Sequence, residues 1–334
     1  MTAALLAVDW GTSALRGALL AADGTVLASH AAPRGLLNLP AAGWPGVFAA
    51  EFGAWLAAHP GLPCLLAGMV GSRQGWVEAP YCPCPASLAD LAARLCVVPV
   101  DALQPVLARH HLAIVPGLCV ETAGIPDVLR GEETQVFGAL QLLGLAEAEQ
   151  VTLVLPGTHS KWVTVQRGRI TGFATHMTGE CYALLRQQSI LARTLPVDDR
   201  NSGSAWDADA LDADAFDAGI QRAQTAGGLL HHVFSVRSLA LLGRQDGQAL
   251  ASLLSGLVIG EELRAQALPA GQNVVLVGGD SLTQRYQRGL QQLGITVQAV
   301  GAQATWCGLA ALAGVWLASP GGQAGGPGLG TLPA

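Results

Sequence analysis

Short apolar runs that stop at glycine- and hydroxyl-rich turns set the pattern near the N-terminus, and the same pattern returns near residue 151. Residues 5–9 and 15–20 read as buried strands joined by the loop Gly11-Thr12-Ser13, and an Asp23-Gly24 turn leads to a third strand over 26–29. In the later copy Val151–Leu155 is the first strand and Gly157-Thr158-His159-Ser160 is the loop. Residues 162–166, the turn Arg167-Gly168 and residues 170–176 complete it. The repetition predicts two halves of related topology facing each other across a cleft.

Apolar residues at helical spacing predict helices over 48–58, 87–95, 131–145, 182–194, 221–243, 248–268, 282–293 and 302–317. Buried strands are expected over 64–69, 111–115, Asn273–Val277 and 295–300. A polar, Asp-rich stretch over 196–214 reads as a surface loop and a helix start. The organisation is therefore α/β, with one domain over residues 1–145 and a second over 146–318. The Gly/Pro-rich tail, 319–334, has no periodicity and is expected to be disordered.

Composition narrows the class. Apolar residues make up 51% of the chain and charged residues only 13%, which excludes an intrinsically disordered protein. A net charge of −6 argues against a nucleic-acid partner. No apolar run approaches the roughly 18 residues of a membrane span. The N-terminus lacks a basic region and is interrupted by Asp9, so no signal peptide is expected. Seven scattered cysteines, an odd number, read as free thiols in a reducing cytoplasm. Of 18 basic residues only Lys161 is lysine, so the chain keeps a compact ammonium at one place, directly after the second Gly-Thr loop.

Backbone N–H groups in tight Gly/Ser/Thr turns can hold phosphates, and both loops end buried strands. Gly11, Thr12 and Ser13, with Gly157, Thr158, His159, Ser160 and Lys161, are the candidate polyphosphate ligands. Asp9, at the end of the first strand, is placed where one carboxylate anchors Mg²⁺ and its waters. Glu132 and Glu133 open a helix directly after Gly131 and suit proton abstraction from a sugar hydroxyl, although acids in a first turn are also favoured by the helix dipole. Ligands collect outside the carboxyl ends of strands in open α/β sheets, which brings in Gly71, Ser72, Arg73, Trp76 and Gly117; Arg73 could pair with an anionic group. There is no G-x-x-x-x-G-K-[ST], no G-x-G-x-x-G after a strand, no G-x-S-x-G and no H-E-x-x-H. P-loop, dinucleotide, hydrolase-elbow and zincin chemistry are thereby disfavoured.

The segment VDWGTSALRG resembles the first phosphate motif of the actin–hexokinase–sugar-kinase superfamily, LPGTHSKWV its second, and VVLVGGDSL its adenosine motif. More narrowly, AGMVGSRQGWVEAPY, VPGLCV, RGEETQVFGA, LPGTHSKW, ATHMTGE and SLTQRYQ together resemble the 2-dehydro-3-deoxygalactonokinases, in the same order and up to about residue 318. The resemblance implies two ribonuclease H-like (actin/hexokinase-type) domains. The N-terminal one would bind the sugar acid and carry phosphate motif one, and the C-terminal one would bind the nucleotide. It also implies phosphorylation of the C6 hydroxyl of 2-dehydro-3-deoxygalactonate by ATP with Mg²⁺, in galactonate degradation. Carried over by position, Asp9, Gly11, Thr12 and Ser13 fall on the first motif, Gly157 to Lys161 on the second, and Gly278 and Gly279 on the adenosine motif. Sugar kinases of this kind place an aspartate base in a Gly-Asp-Gln stretch; here Gly131-Glu132-Glu133 stands there, which leaves Glu132, Glu133 or another acid as the base. Homodimers are common in such families. A kinase for another sugar acid or polyol, or a nucleotide-binding regulator without transfer activity, remain alternatives at this point.

Overall fold

The structure, a computed structural model, describes residues 1–40, 43–99, 107–196, 211–279 and 281–319. The N-terminal meander forms as the alternation predicts: β1 (Ala3–Trp10), β2 (Leu15–Ala21) and β3 (Val26–Ala32) pair antiparallel in sequence order. After α1 (Gly43–Ala58) the strand β4 (Cys64–Gly68) adds parallel to β1. There follow β5 (Cys82–Pro83), α2 (Leu88–Ala92), β6 (Cys96–Val97) and β7 (Leu112–Ile114), the last parallel to β4. The sheet order is β3-β2-β1-β4-β7-β6. A small second sheet, β5-β8-β9, uses β8 (Leu118–Thr122) and β9 (Ile125–Leu129) and leads into α3 (Glu132–Leu142).

The later copy follows the same plan. The strands β10 (Val151–Leu155), β11 (Ser160–Gln166) and β12 (Arg169–His176) are followed by α4 (Thr178–Gln188), α5 (Ala213–Ala223), α6 (Gly228–His232), α7 (Phe234–Leu241) and α8 (Gly247–Gln266). Then come β13 (Asn273–Val277), α9 (Ser281–Gln292), β14 (Thr296–Val300) and α10 (Gln303–Ala318). Its sheet order is β12-β11-β10-β13-β14, with β13 parallel to both β10 and β14. Each sheet therefore runs third, second and first strand of a meander and then two parallel strands, with β6 added antiparallel at the edge of the first, the arrangement expected of a ribonuclease H-like α/β fold.

The chain divides into two compact units. The first comprises Met1–Gln150, Val163–Phe173 and the segment from Ala302, and the second Val151–Trp162 and Ala174–Gly301. Pattern alone assigned α10 to the C-terminal half, but it packs along α3 in the first unit. The reason is two glycines at the crossing: a Cβ on Gly138 would lie 1.8 Å from the Ala304 carbonyl oxygen, and one on Gly308 1.8 Å from that of Thr134. Only bare backbone permits helices this close. The first core gathers Leu6, Val8, Trp10, Leu15, Phe48, Phe52 and Leu66, all below 1% exposure.

Three local expectations change. The helix expected over 221–243 is three pieces, because Gly227 and Gly228 sit consecutively at φ +128° and +70°. The helix expected over 87–95 shortens to α2, which Ser87 and Asp90 start with a reciprocal capping box. The helix expected to begin at 182 begins at Thr178 and stops at Gln188, where Ser189 caps a separate 3-10 turn. The stretch expected as a loop over 196–214 and the tail from 320 lie largely or wholly outside the described residues.

Candidate active site

In the first unit the ends of β1 and β4 and the start of α3 converge on one point. A Cβ on Gly68 would lie 2.7 Å from the Trp10 carbonyl oxygen and 3.4 Å from Asp9 Oδ1; one on Gly131 would lie 3.3 Å from the Gly68 Cα. Gly131 holds φ +104° as the residue before α3, a conformation that favours glycine. Asp9 therefore stands at the strand end with a fifth of its side chain exposed, and Arg16 on the paired strand is 4.0 Å away. Burial pushes the Asp9 pKa up, Arg16 pulls it down, and the charge of Glu132 raises it further. The Asp9 and Glu132 carboxylates are thus electrostatic neighbours at one site.

The two glutamates of the α3 start have different surroundings. Glu132 is half-buried, and its Oε2 accepts from the Arg130 N–H at 2.9 Å. Glu133 is fully buried, its Oε2 accepting from the Gly131 N–H at 2.7 Å, while Oε1 has no hydrogen-bond partner. Burial pushes the Glu133 carboxyl up to about 8, with Glu132 repulsion second. Of the two glutamates named from the sequence, Glu132 is the one with access to a ligand; Glu133 sits inside the helix start.

The loop Gly11-Thr12-Ser13 turns its carbonyls inward. The Gly11, Thr12 and Ser13 carbonyls accept from the amides of Leu36, Leu37 and Gly35 at 3.1, 3.0 and 3.2 Å. Because a trans peptide points its N–H opposite to its C=O, the amides of Thr12, Ser13 and Ala14 face the other way. That is the amide display a phosphate needs. Thr12 and Ser13 are exposed.

In the second unit the start of α4 braces the corresponding loop. The Glu180 N–H donates to the Thr158 carbonyl at 3.0 Å, and His159 Nε2 is 2.6 Å from Glu180 Oε2. Ser160 departs from its expected role, because it is fully buried and its hydroxyl donates to Glu262 at 2.8 Å rather than facing a ligand. Glu262, 3% exposed, also accepts from Trp162 Nε1 and the Tyr286 hydroxyl, both at 2.6 Å, and from the Thr178 hydroxyl. This carboxylate joins the loop, α4, α8 and α9, and it was not singled out from the sequence. Strand alternation sends Lys161, 5% exposed, to the face opposite Ser160. Gly278 and Gly279 follow β13; Gly278 has φ +152°, and its amide donates to the Val300 carbonyl at 2.8 Å.

The remaining candidates surround the β4 end. Trp76 is a packing residue, its ring centroid 5.7 Å from that of Phe48. Arg73 is exposed. Gly71 and Gly117 line the seat of a different arginine, Arg130: a Cβ on Gly71 would fall 2.9 Å from Arg130 Nη1, and one on Gly117 2.7 Å from the Tyr81 ring, over which the Arg130 guanidinium lies at 4.4 Å. The Ser72 hydroxyl is buried without a partner. No cluster of three or more metal-ligating side chains occurs among the described residues, and no described helix is long and apolar enough to cross a membrane.

Residues 9–312 match the family described as 2-keto-3-deoxy-galactonokinase. The chain belongs to that family. It is 36% identical to a probable 2-dehydro-3-deoxygalactonokinase of Rhizobium meliloti strain 1021, over 93% of this chain and 97% of the relative. It is 35% identical to the 2-dehydro-3-deoxygalactonokinase of Escherichia coli K12, over 90% of this chain and 94% of that one. A crystal structure of a 2-dehydro-3-deoxygalactonokinase-type protein from Sinorhizobium meliloti superposes with a TM-score of 0.81 at 34% identity, covering 93% of this chain and 99% of the other. The family membership makes the chain a sugar-acid kinase that uses ATP.

Proposed function

We propose that the protein transfers the terminal phosphoryl group of ATP to the C6 hydroxyl of 2-dehydro-3-deoxygalactonate, giving the 6-phosphate in galactonate catabolism. The family match over nearly the whole chain, with relatives named for this activity, carries the substrate class. Placement of Asp9 and Glu132 at one strand-end site supports the chemistry.

Glu132 accepts the C6 hydroxyl proton as the oxygen attacks phosphorus. Its partial exposure allows this, whereas the enclosed Glu133 is held against the Gly131 amide. The amides of Thr12, Ser13 and Ala14 hold phosphate oxygens, Gly157 and Thr158 do the same in the second unit, and Lys161 contributes its charge there. Gly278 and Gly279, directly after β13, stand on the adenosine side of the nucleotide. A Mg²⁺ ion fits Asp9: a partly exposed carboxylate whose pKa is raised by burial and by a second acid is stabilised when a cation arrives. When bound, the ion supplies charge neutralisation to the phosphates. Phosphoryl transfer asks the protein mainly for alignment, which the braced first loop provides.

Purified protein assayed by coupled ADP release should turn over 2-dehydro-3-deoxygalactonate with ATP and Mg²⁺ well above its ATPase background. Stronger turnover of the gluco epimer, or of another sugar acid, would reassign the substrate, and ATP binding without sugar-dependent ADP release would remove the kinase reading.

A further inference from the structure

Arg130 immediately precedes the helix start that carries Glu132, and its guanidinium is fixed on three sides. One face lies over the Tyr81 ring at 4.4 Å, Nη2 donates to the Ala79 carbonyl at 2.8 Å, and Nη1 abuts Gly71 so closely that a Cβ there would sit at 2.9 Å. Gly117 in turn makes room for Tyr81, since a Cβ at 117 would lie 2.7 Å from the ring. Nε and Nη1 are nevertheless buried without any hydrogen-bond partner among the described residues, and the hydroxyl of Ser72, which follows Gly71 in the chain, is in the same condition. An always-charged, planar group is normally satisfied when buried, because each unmade bond to it is costly. Two glycines and a tyrosine are thus arranged around a cation two of whose three nitrogens, Nε and Nη1, have no partner among the described residues.

We propose that Arg130, assisted by the Ser72 hydroxyl, binds the C1 carboxylate of the sugar acid. This rests on the kinase reading above and assigns the acid-recognising residue within it, in place of the exposed Arg73. A planar carboxylate is the anion whose geometry suits a guanidinium already held by stacking. Arg130 leads directly into the helix start that carries Glu132, so the acid-binding group and the base come from adjacent residues of one short segment. The Tyr81 ring, 40% exposed, forms the outer wall.

The test compares Arg130→Gln, Arg130→Lys and Ser72→Ala with the wild type. Each is assayed with 2-dehydro-3-deoxygalactonate and its neutral C1 amide, by turnover and by titration calorimetry. The wild type should favour the acid over the amide. Arg130→Gln should raise KM for the acid about 100-fold, the scale of losing one partner of an enclosed charge pair. KM for ATP and turnover of the amide should stay within about threefold, and Arg130→Lys should recover only part of the loss. Ser72→Ala, which leaves the stack intact, should raise KM for the acid about threefold to tenfold. Equal losses for acid and amide would make Arg130 a structural strut and overturn the subsite while the kinase reading stands. Wild-type protein that binds the acid through Arg130 but phosphorylates nothing would overturn the kinase reading and leave the subsite.

Discussion

Replacing Glu133 by glutamine should stabilise the protein, by an amount that depends on pH. The carboxyl is wholly enclosed, Oε1 has no partner, and burial together with Glu132 raises its pKa from 4.5 to about 8. The folded state therefore holds this proton more tightly than the unfolded chain does. Below about pH 4.5 both states are protonated and the site costs nothing; as pH rises towards 8 the unfolded chain ionises first and stability is lost, at about 1.4 kcal/mol per pH unit. Above pH 8 the loss levels off at about 5 kcal/mol. Glutamine keeps an oxygen for the Gly131 amide, at 2.7 Å in the wild type, and carries no proton to lose. Urea unfolding of both proteins at half-unit intervals from pH 5 to 9, followed by tryptophan fluorescence, reads the difference directly. It should grow with pH and then plateau near 8. A difference that does not vary with pH, or a variant less stable than wild type at pH 8, would refute the assignment of Glu133 as a buried, proton-holding acid.

Glu132→Gln should lower kcat by about 10²–10⁴-fold with little change in KM for ATP, whereas a change under threefold would remove Glu132 as the base. Glu262→Ala strands the donors of Ser160, Trp162, Thr178 and Tyr286 in the core, and should cost about 3–5 kcal/mol and broaden the near-ultraviolet dichroism of the second unit. An unchanged unfolding midpoint would show that these donors find other partners. Gly308→Val drives a side chain into the Thr134 carbonyl and should cost more than about 2 kcal/mol by thermal unfolding; wild-type stability would mean α3 and α10 are less close than described.

The sequence made the meanders legible because alternation, Gly-Thr loops and tight turns are local signals, and Val151–Leu155 and Asn273–Val277 form as read. What it hid depends on residues far apart. The sheet β5-β8-β9 contains Pro83 and Pro126 in strands two to five residues long, which lack a clear alternation. The place of α10 turns on Gly138 meeting Gly308 across the chain. The role of Ser160 depends on Glu262, 102 residues away, and Arg130 finds its seat on Tyr81 and Ala79. A glutamate within the apolar run of α8 was the available signal for Glu262, since a charge there must find several donors.

The two related loops are held by different bonds, and this bears on how far one can stand in for the other. In the first, three carbonyls are tied to residues 35–37, so the backbone alone fixes the amides and both hydroxyls stay exposed. In the second, a side chain carries part of the burden: Ser160 is spent on Glu262, and only one carbonyl, that of Thr158, is held by α4. Substituting Thr12 or Ser13 therefore removes at most a hydroxyl contact, while substituting Ser160 or Glu262 loosens the loop that precedes Lys161. The same Gly-Thr-Ser letters thus carry exposed side chains in one copy and a core anchor in the other. The difference lies in whether a buried carboxylate waits beneath the strand.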